Sequence, residues 1–201
     1  NISCGMRAAV GAIEKIRLSE GEIMIRVIGG VRPVGLCGSG VLDALDTLHQ
    51  AGIINHRGYI CPGNPGVSER GGLQEYSFAP GVAMTQNDVR AVMLAKAAIR
   101  AGQDMLLAEA GLQERMLERV LIAGAFGASM NVASAIDIGL FPALPLERFS
   151  QVGNAAGAGV RMALVSAAVR ERAGLLARQC RHVELNNVPG FQKAFISRMA
   201  L

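Results

Sequence analysis

Tryptophan is absent from this 201-residue chain, and aromatic residues make up only 4% of it. A core built from it must be aliphatic and small-residue. Charge is also scarce: 18% of residues are Asp, Glu, Lys or Arg, against 51% hydrophobic, with a mean hydropathy of +0.32. That balance excludes a disordered or fibrous chain. No run of five Lys or Arg occurs, and basic and aromatic residues do not interleave, so nucleic-acid binding is not expected. The four cysteines, Cys4, Cys37, Cys61 and Cys180, lie far apart. They form no CxxC pair and no Cys–His metal spacing, and read as reduced thiols. The longest uncharged run, Val120 to Ile136, is broken by Gly, Ser and Asn. It falls short of a membrane-spanning helix. With no secretory signal in sight, a cytoplasmic protein without membrane partners is expected.

What is present is the length of one domain, able to bury roughly 70% of the surface its unfolded form exposes. Glycine is abundant, at 25 residues, which suits close backbone approaches. The net charge of +4 is mild and scattered, and leaves small polyanionic ligands such as nucleotides open. The chain opens on Asn1-Ile2-Ser3-Cys4-Gly5 rather than on Met, and a fragment of a longer protein is expected.

Alternation over Ala8–Arg17 and Glu22–Ile28, with Ser19-Glu20-Gly21 between, predicts a β-hairpin. Val41, Leu42, Leu45 and Leu48 have helical spacing just after Gly35-Leu36-Cys37-Gly38-Ser39-Gly40. Residues 55–80 read as a long loop with room for a short irregular hairpin, and as a partner contact. Thr85 and Asp88 form a capping pair for a helix running to about Ala110, with Gly111 as its stop. Its core stripe is read as Leu94, Ala98, Ala101 and Met105, with Lys96, Arg100 and Gln103 on the opposite side. Val120–Ala123 reads as a buried strand and Val132–Ile138 as a helix. A single helix follows Gly153–Gly159 to about Ala177. Val183–Leu185 reads as a last strand and 189–199 as a terminal amphipathic helix.

Three glycine-rich segments, Gly35–Gly40, Gly124–Gly127 and Gly153–Gly159, are each read as preceding a helix. Helix N-termini offer unpaired N–H groups, and glycine lets a ligand approach the backbone. None matches a Rossmann or Walker A pattern, and each alone is read first as tight helix packing or a plain turn. Lys96 and Arg100, one turn apart, suit either a phosphate clasp or a solvated face. Asp43 and Asp46 suit either a water-mediated Mg²⁺ or the helix dipole. His49, His56 and His182 are isolated. No Ser-His-Asp or Cys-His arrangement is visible, and no catalytic residue or metal ligand is assigned.

The order of motifs carries more than any one of them. Asn1-Ile2-Ser3-Cys4-Gly5-Met6-Arg7-Ala8-Ala9 is followed by Gly35–Gly40, then by Thr85-Gln86-Asn87-Asp88-Val89-Arg90 and Leu94–Gly102. Leu121-Ile122-Ala123-Gly124-Ala125-Phe126-Gly127 comes next, and Val152–Gly159 last. This series, across essentially the whole chain, resembles the C-terminal part of the ATP-dependent reductive activators of corrinoid proteins. They belong to the acetate kinase, sugar kinase, Hsc70 and actin (ASKHA) superfamily. The resemblance implies an α/β fold, a ribonuclease-H-like ASKHA subdomain with a mixed sheet and flanking helices. Residues 1–201 would be a single C-terminal ASKHA-type domain, apart from the ferredoxin domain and the first ASKHA subdomain.

It further implies ATP with Mg²⁺ as ligand, held by Gly38, Ser39, Gly40, Lys96, Arg100, Gly124, Ala125, Phe126 and Gly127. Leu121–Gly127 would be the adenosine motif, with Gly124-Ala125 where the superfamily prefers Gly-Gly. Gly153–Gly159 would be a hinge and helix contact. A [2Fe-2S] cluster belongs to the N-terminal part of such proteins, and the cysteines here do not match cluster spacing. The implied partners are a corrinoid protein or its methyltransferase, and a homodimer is a further expectation. Electrons would pass from the cluster to a Co(II) corrinoid, and this domain alone is expected to be inactive. The alternatives are a small-molecule kinase of the same superfamily and a non-catalytic interaction domain.

Overall fold

In the computed structural model, which describes residues 2–201, the chain begins with a hairpin. Strands β1 (Ala12–Ser19) and β2 (Glu22–Val27) are antiparallel. Glu20 (φ 52°) and Gly21 (φ 82°) join them, two left-handed residues in the manner of a type I′ turn, whose twist matches that of the strands. The short strand β3 (Gly35–Leu36) lies parallel to β1 on its other side, giving a mixed sheet in the order β2-β1-β3. Residues 4–6 run beside β3, with Leu36 N–H donating to Cys4 O (2.8 Å) and Met6 N–H to Leu36 O (2.9 Å). The hairpin starts later than its alternation suggests, because Gly11 (φ 89°) turns the chain just before β1. Asn1, the first residue of the opening motif, lies outside the described residues.

Helix α1 (Gly38–Gln50) packs on the inner face of this sheet. It begins three residues before the periodic apolar positions, so Gly38, Ser39 and Gly40 form its first turn rather than a loop ahead of it. The segment read as a long loop with room for a short hairpin does hold a hairpin, of two regular strands. β4 (Val67–Arg70), β5 (Leu73–Ala79) and β6 (Val82–Thr85) form an antiparallel sheet with two-residue connections at Gly71-Gly72 and Pro80-Gly81. Gly71-Gly72 is a connection of this meander, which composition alone does not separate from loop, whereas Gly58, Gly63 and Gly66 precede β4. The core lies between the two sheets and α1, around Ile13, Leu36, Leu45, Leu48, Ile54, Val82, Met84 and Val89.

Helix α2 (Gln86–Glu109) starts and stops as its sequence predicts, with Thr85 as cap and Gly111 (φ 67°) beyond its end. The face it buries is a different one. Val89, Val92, Met93, Lys96, Ala97, Arg100 and Ala101 are buried, whereas Leu94 is 48% exposed and Ala98 faces solvent. The helix is apolar on several sides, so spacing permits more than one stripe.

Strand β7 (Val120–Ala123) is followed by α3 (Ala125–Ser129) and α4 (Val132–Asp137). A further strand, β8 (Phe149–Gly153), lies parallel to β7. The expected single helix after it is two, α5 (Ala155–Val165) and α6 (Ala167–Gln179). Ser166 breaks the run (φ −139°, ψ 117°) and caps α6 by accepting from Val169 N–H. These two helices pack on each other and bury no residue fully, with Leu164 73% and Val165 87% exposed. Residues 183–185 form no strand; a 3₁₀ turn at Leu185–Asn187 leads to α7 (Phe191–Ser197). The four cysteines are free thiols. No helix among the described residues is long and apolar enough to cross a membrane.

One carboxylate ties the N-terminal segment to α2. Asp88 accepts from Ser3 N–H (2.7 Å), Ser3 Oγ (2.5 Å), Thr85 N–H (2.9 Å) and Thr85 Oγ1 (2.8 Å), while its own N–H donates to Thr85 Oγ1. Burial alone would raise its pKa, but these hydrogen bonds favour the anion and together hold it below the usual carboxylate value. Asp88→Ala is expected to cost about 2–3 kcal/mol in urea denaturation at neutral pH. Because the folded protein binds this proton less tightly than the unfolded chain, the contribution is complete above the ordinary value of 3.8 and is lost as pH falls through the folded pKa. Wild type and Asp88→Ala should therefore converge in acid.

Candidate functional site

The two parallel strands β7 and β8 end side by side, and each ends in a glycine with positive φ. Gly124 (φ 100°, ψ 160°) leads into α3, and Gly153 (φ 63°) leads through Asn154 into α5. Gly124 N–H donates to Gly153 O at 2.7 Å. A β-carbon built on either glycine would meet no atom within 4 Å, so both backbones face open space. Paired strand-to-helix turns at the carboxyl ends of parallel strands are where open α/β sheets receive ligands. Side-chain amides fasten the turns. Asn154 Oδ1 accepts from Gly157 N–H (2.9 Å), and Gln151 Nε2 donates to Gly127 O (2.5 Å) and Met130 O (2.8 Å).

The residues singled out in the sequence divide into two places. Gly38 and Phe126 meet: a β-carbon at Gly38 would overlap the Phe126 ring, with Cδ2 at 2.7 Å. Gly40 faces the Ile13 carbonyl with no room for a β-carbon, and Ser39 Oγ donates to Glu14 O at 2.9 Å. Gly38, Ser39 and Gly40 thus seat α1 on β1 and give the Gly124–Gly127 turn its floor. Gly127 is pressed against Ile122, where a β-carbon would lie 2.5 Å from Cγ2. Phe126 is half exposed and Ala125 lies at the start of α3.

Lys96 and Arg100 lie elsewhere, on the buried side of α2. Lys96 is 2% exposed and its ammonium donates to the Ala200 carbonyl. Burial, reinforced by Arg198 nearby, lowers its pKa to about 8. Arg100 is ion-paired with Glu114 and with Asp104 (3.3 Å), and donates to Gln103 (3.3 Å). Gln103, one turn on, donates to Leu140 O at 3.3 Å. With Leu106, Leu107, Leu121, Ala123 and Phe141 it lines an apolar groove of about 470 Å³ along β7.

Asp43 and Asp46 are buried on the α4 side of α1, and burial raises the pKa of both. Asp43 accepts from Ile16 N–H (3.2 Å) and Asp46 from Gln50 Nε2 (2.8 Å). Ser134 lies beside both carboxylates without a hydrogen bond of good geometry, and Asp43 Oδ1 has no partner. They brace α1 against α4 and do not face the glycine turns. Among the described residues no cluster of three His, Cys, Asp or Glu is arranged to hold a metal ion.

Sequence reasoning missed β8, and with it the position of Gly153 beside Gly124. Phe149-Ser150-Gln151-Val152 is short and follows a Pro-punctuated stretch, so nothing local marks it as a strand. Gln151, the staple between β8 and the Gly124 turn, carries no motif at all. The one available signal was the glycine followed by Asn, a helix-capping residue, at 153–154.

Comparison with known proteins gives a consistent result. The family model for the C-terminal domain of RACo, the ASKHA domain, matches residues 1–201. The corrinoid activation enzyme RamQ of Eubacterium limosum is 36% identical over 215 residues, covering 97% of this chain and 36% of RamQ. The solved structure of a reductive activator for corrinoid, iron-sulfur protein superposes with a TM-score of 0.92 at 35% identity, covering 100% of this chain and 34% of that one. The chain thus spans about a third of the length of these relatives.

Two outcomes are expected from the geometry. Gly124 occupies a backbone region open essentially to glycine alone, so Gly124→Ala should cost about 1–3 kcal/mol in denaturation measurements. Lys96 sheds its proton in the folded state at about pH 8, below the ordinary 10.5, so the folded form binds fewer protons than the unfolded chain between those values. Stability should rise across that window by up to about 3 kcal/mol, and Lys96→Met should flatten the rise.

Proposed function

The chain belongs to the family of C-terminal ASKHA domains of the corrinoid reductive activators, and from that membership we propose that it supplies half of an ATP cleft in a protein that reduces an inactive Co(II) corrinoid. The observation that carries the reading is the pair of open glycine turns, Gly124 and Gly153, at the ends of two hydrogen-bonded parallel strands. A nucleotide is a ligand that suits bare backbone, because neither turn places a side chain between it and the N–H groups.

In this proposal the adenosine moiety of ATP lies against Gly124, Ala125, Phe126 and Gly127. The half-exposed Phe126 ring and the apolar groove along β7 offer it a surface. Gly38, Ser39 and Gly40 act by holding that turn in place, through the ring-on-backbone contact and the bond to Glu14. Lys96 and Arg100 are the cationic contacts on α2. Mg²⁺ would arrive with the nucleotide. The four cysteines are dispersed from half-buried Cys4 to exposed Cys180 and do not suit a [2Fe-2S] cluster, so the proposal places that cluster outside this chain.

Bound ATP supplies binding and hydrolysis energy that biases a conformational equilibrium. Such a bias requires different affinities for the two states. Turns joined by one backbone hydrogen bond, with α5 and α6 beyond Gly153 packed mainly on each other and burying no residue, provide a part able to differ between states. The partner is a corrinoid protein, as the names of the relatives state for those proteins.

Isothermal titration of ATP-Mg into the full-length protein, with both halves of the cleft present, tests the reading. Saturable binding is expected, weakened about ten-fold or more in a Lys96→Ala, Arg100→Ala variant, as loss of charge-assisted contacts implies. Absence of binding to the folded protein would remove ATP from the proposal. Unaltered affinity in the variant would leave the glycine turns and remove the two cations.

A further inference from the structure

Residues 191–201 run along α2 and close over the two cations just described. Arg198 forks onto Asp104, with Nε at 2.8 Å and Nη2 at 3.3 Å, and reaches Glu114 at 3.8 Å. Those same two carboxylates hold Arg100. One residue pair further, the Ala200 carbonyl accepts from Lys96, and Leu201 N–H donates to His56 O at 2.9 Å. Lys96 and Arg100 are therefore occupied by the protein itself. Three cations, Lys96, Arg100 and Arg198, share two carboxylates, Asp104 and Glu114. The cluster has a surplus positive charge that no acidic side chain in it offsets.

The segment that closes this cluster packs on α2 through α7 and on the core through Leu201, but only by half-buried residues. None of its residues is fully buried, although Lys96 and Arg100 beneath it are 2% and 3% exposed. The Arg198 side chain is 41% exposed, so its ion pairs are screened by solvent. A segment without a fully buried residue and with partly exposed polar contacts is among the first parts of a fold to open. Its displacement would deprive the Lys96 ammonium of its acceptor and remove Arg198 from the two carboxylates that hold Arg100.

We propose that residues 191–201 form a displaceable strap that masks the cation pair Lys96 and Arg100, and that a phosphate-bearing ligand engages the pair only by displacing it. This rests on the reading of Lys96 and Arg100 as ATP contacts. A phosphate oxygen takes the place of the Ala200 carbonyl at Lys96 and competes with Asp104 and Glu114 for Arg100. Arg198 leaves with the strap. Strap and ligand are mutually exclusive, so the apparent affinity for ATP falls with the fraction of molecules whose strap is closed.

The test is ATP-Mg titration of wild type, Arg198→Ala, Arg198→Lys and Lys96→Ala, with hydrogen exchange followed at residues 191–201. Arg198→Ala should tighten ATP binding about three- to five-fold, the equivalent of a screened ion pair. Arg198→Lys should fall between it and wild type, and ATP should speed exchange across 191–201. Unchanged exchange at Val89–Ala97 certifies that the variants are folded. Affinity unchanged or weakened in folded Arg198→Ala, or slower exchange at 191–201 on adding ATP, overturns the strap. If Lys96→Ala still weakens binding in that case, the strap alone has failed. If Lys96→Ala is neutral, or ATP does not bind, the ATP reading of the pair has failed and the strap falls with it.

Discussion

Helix α1 lies against strand β1 so closely that residue 40 has no room for a β-carbon, which would overlap the Ile13 carbonyl. Ser39 hydrogen-bonds to the next residue of β1, Glu14, and Asp43 and Thr47 bond to Ile16 one turn and two turns further on. Helix and strand are thus laced together along three turns. The contact sets the position of Gly38, which receives the Phe126 ring, and through it the Gly124 turn at the end of β7. On the opposite side, α1 braces α4 through Asp43, Asp46 and Ser134. The candidate nucleotide turn is therefore positioned from the centre of the fold, although it lies at the edge.

The molecule has two regions of different character. Around α1 the packing is dense, with Ile13, Leu36, Leu45 and Leu48 fully or almost fully buried. Beyond β8 it is open: α5 and α6 bury no residue, and the segment over α2 is held by half-buried packing, ion pairs and single hydrogen bonds. A rigid base next to loosely held helices suits a domain whose ligand shifts a conformational equilibrium, because differential affinity needs parts that can occupy two arrangements.

Buried charge on α2 has a similar logic. An ammonium and a guanidinium in the interior are costly unless paired. Arg100 has two carboxylates, whereas Lys96 has only a backbone carbonyl and a second cation nearby. The unequal treatment of two residues one turn apart marks Lys96 as the less settled of the pair.

Much of this was legible in the amino-acid sequence. The first hairpin follows from alternation around Ser19-Glu20-Gly21, the start of α2 from Thr85 and Asp88, and the place of β7 with its glycine turn from Val120–Gly127, although that strand, read as buried, buries only Ile122. Each rests on interactions within a few residues, which local pattern records. The order of the motifs was enough to identify the family. What the sequence could not decide was which of several surfaces turns inward. The stripe through Leu94 and Ala98 is as periodic as the one through Val89, Met93 and Ala97, and the second is buried because β6, α1 and α7 happen to lie on that side. Lys96 and Arg100 are interior because distant segments close over them: residues 191–201, a hundred positions away in the chain, with Gly139 beside Lys96 and Glu114 on Arg100. Gly153 stands beside Gly124 only because a short strand without local signal pairs with β7. These outcomes depend on contacts between distant segments, whose energies exceed local propensity and leave no trace in spacing.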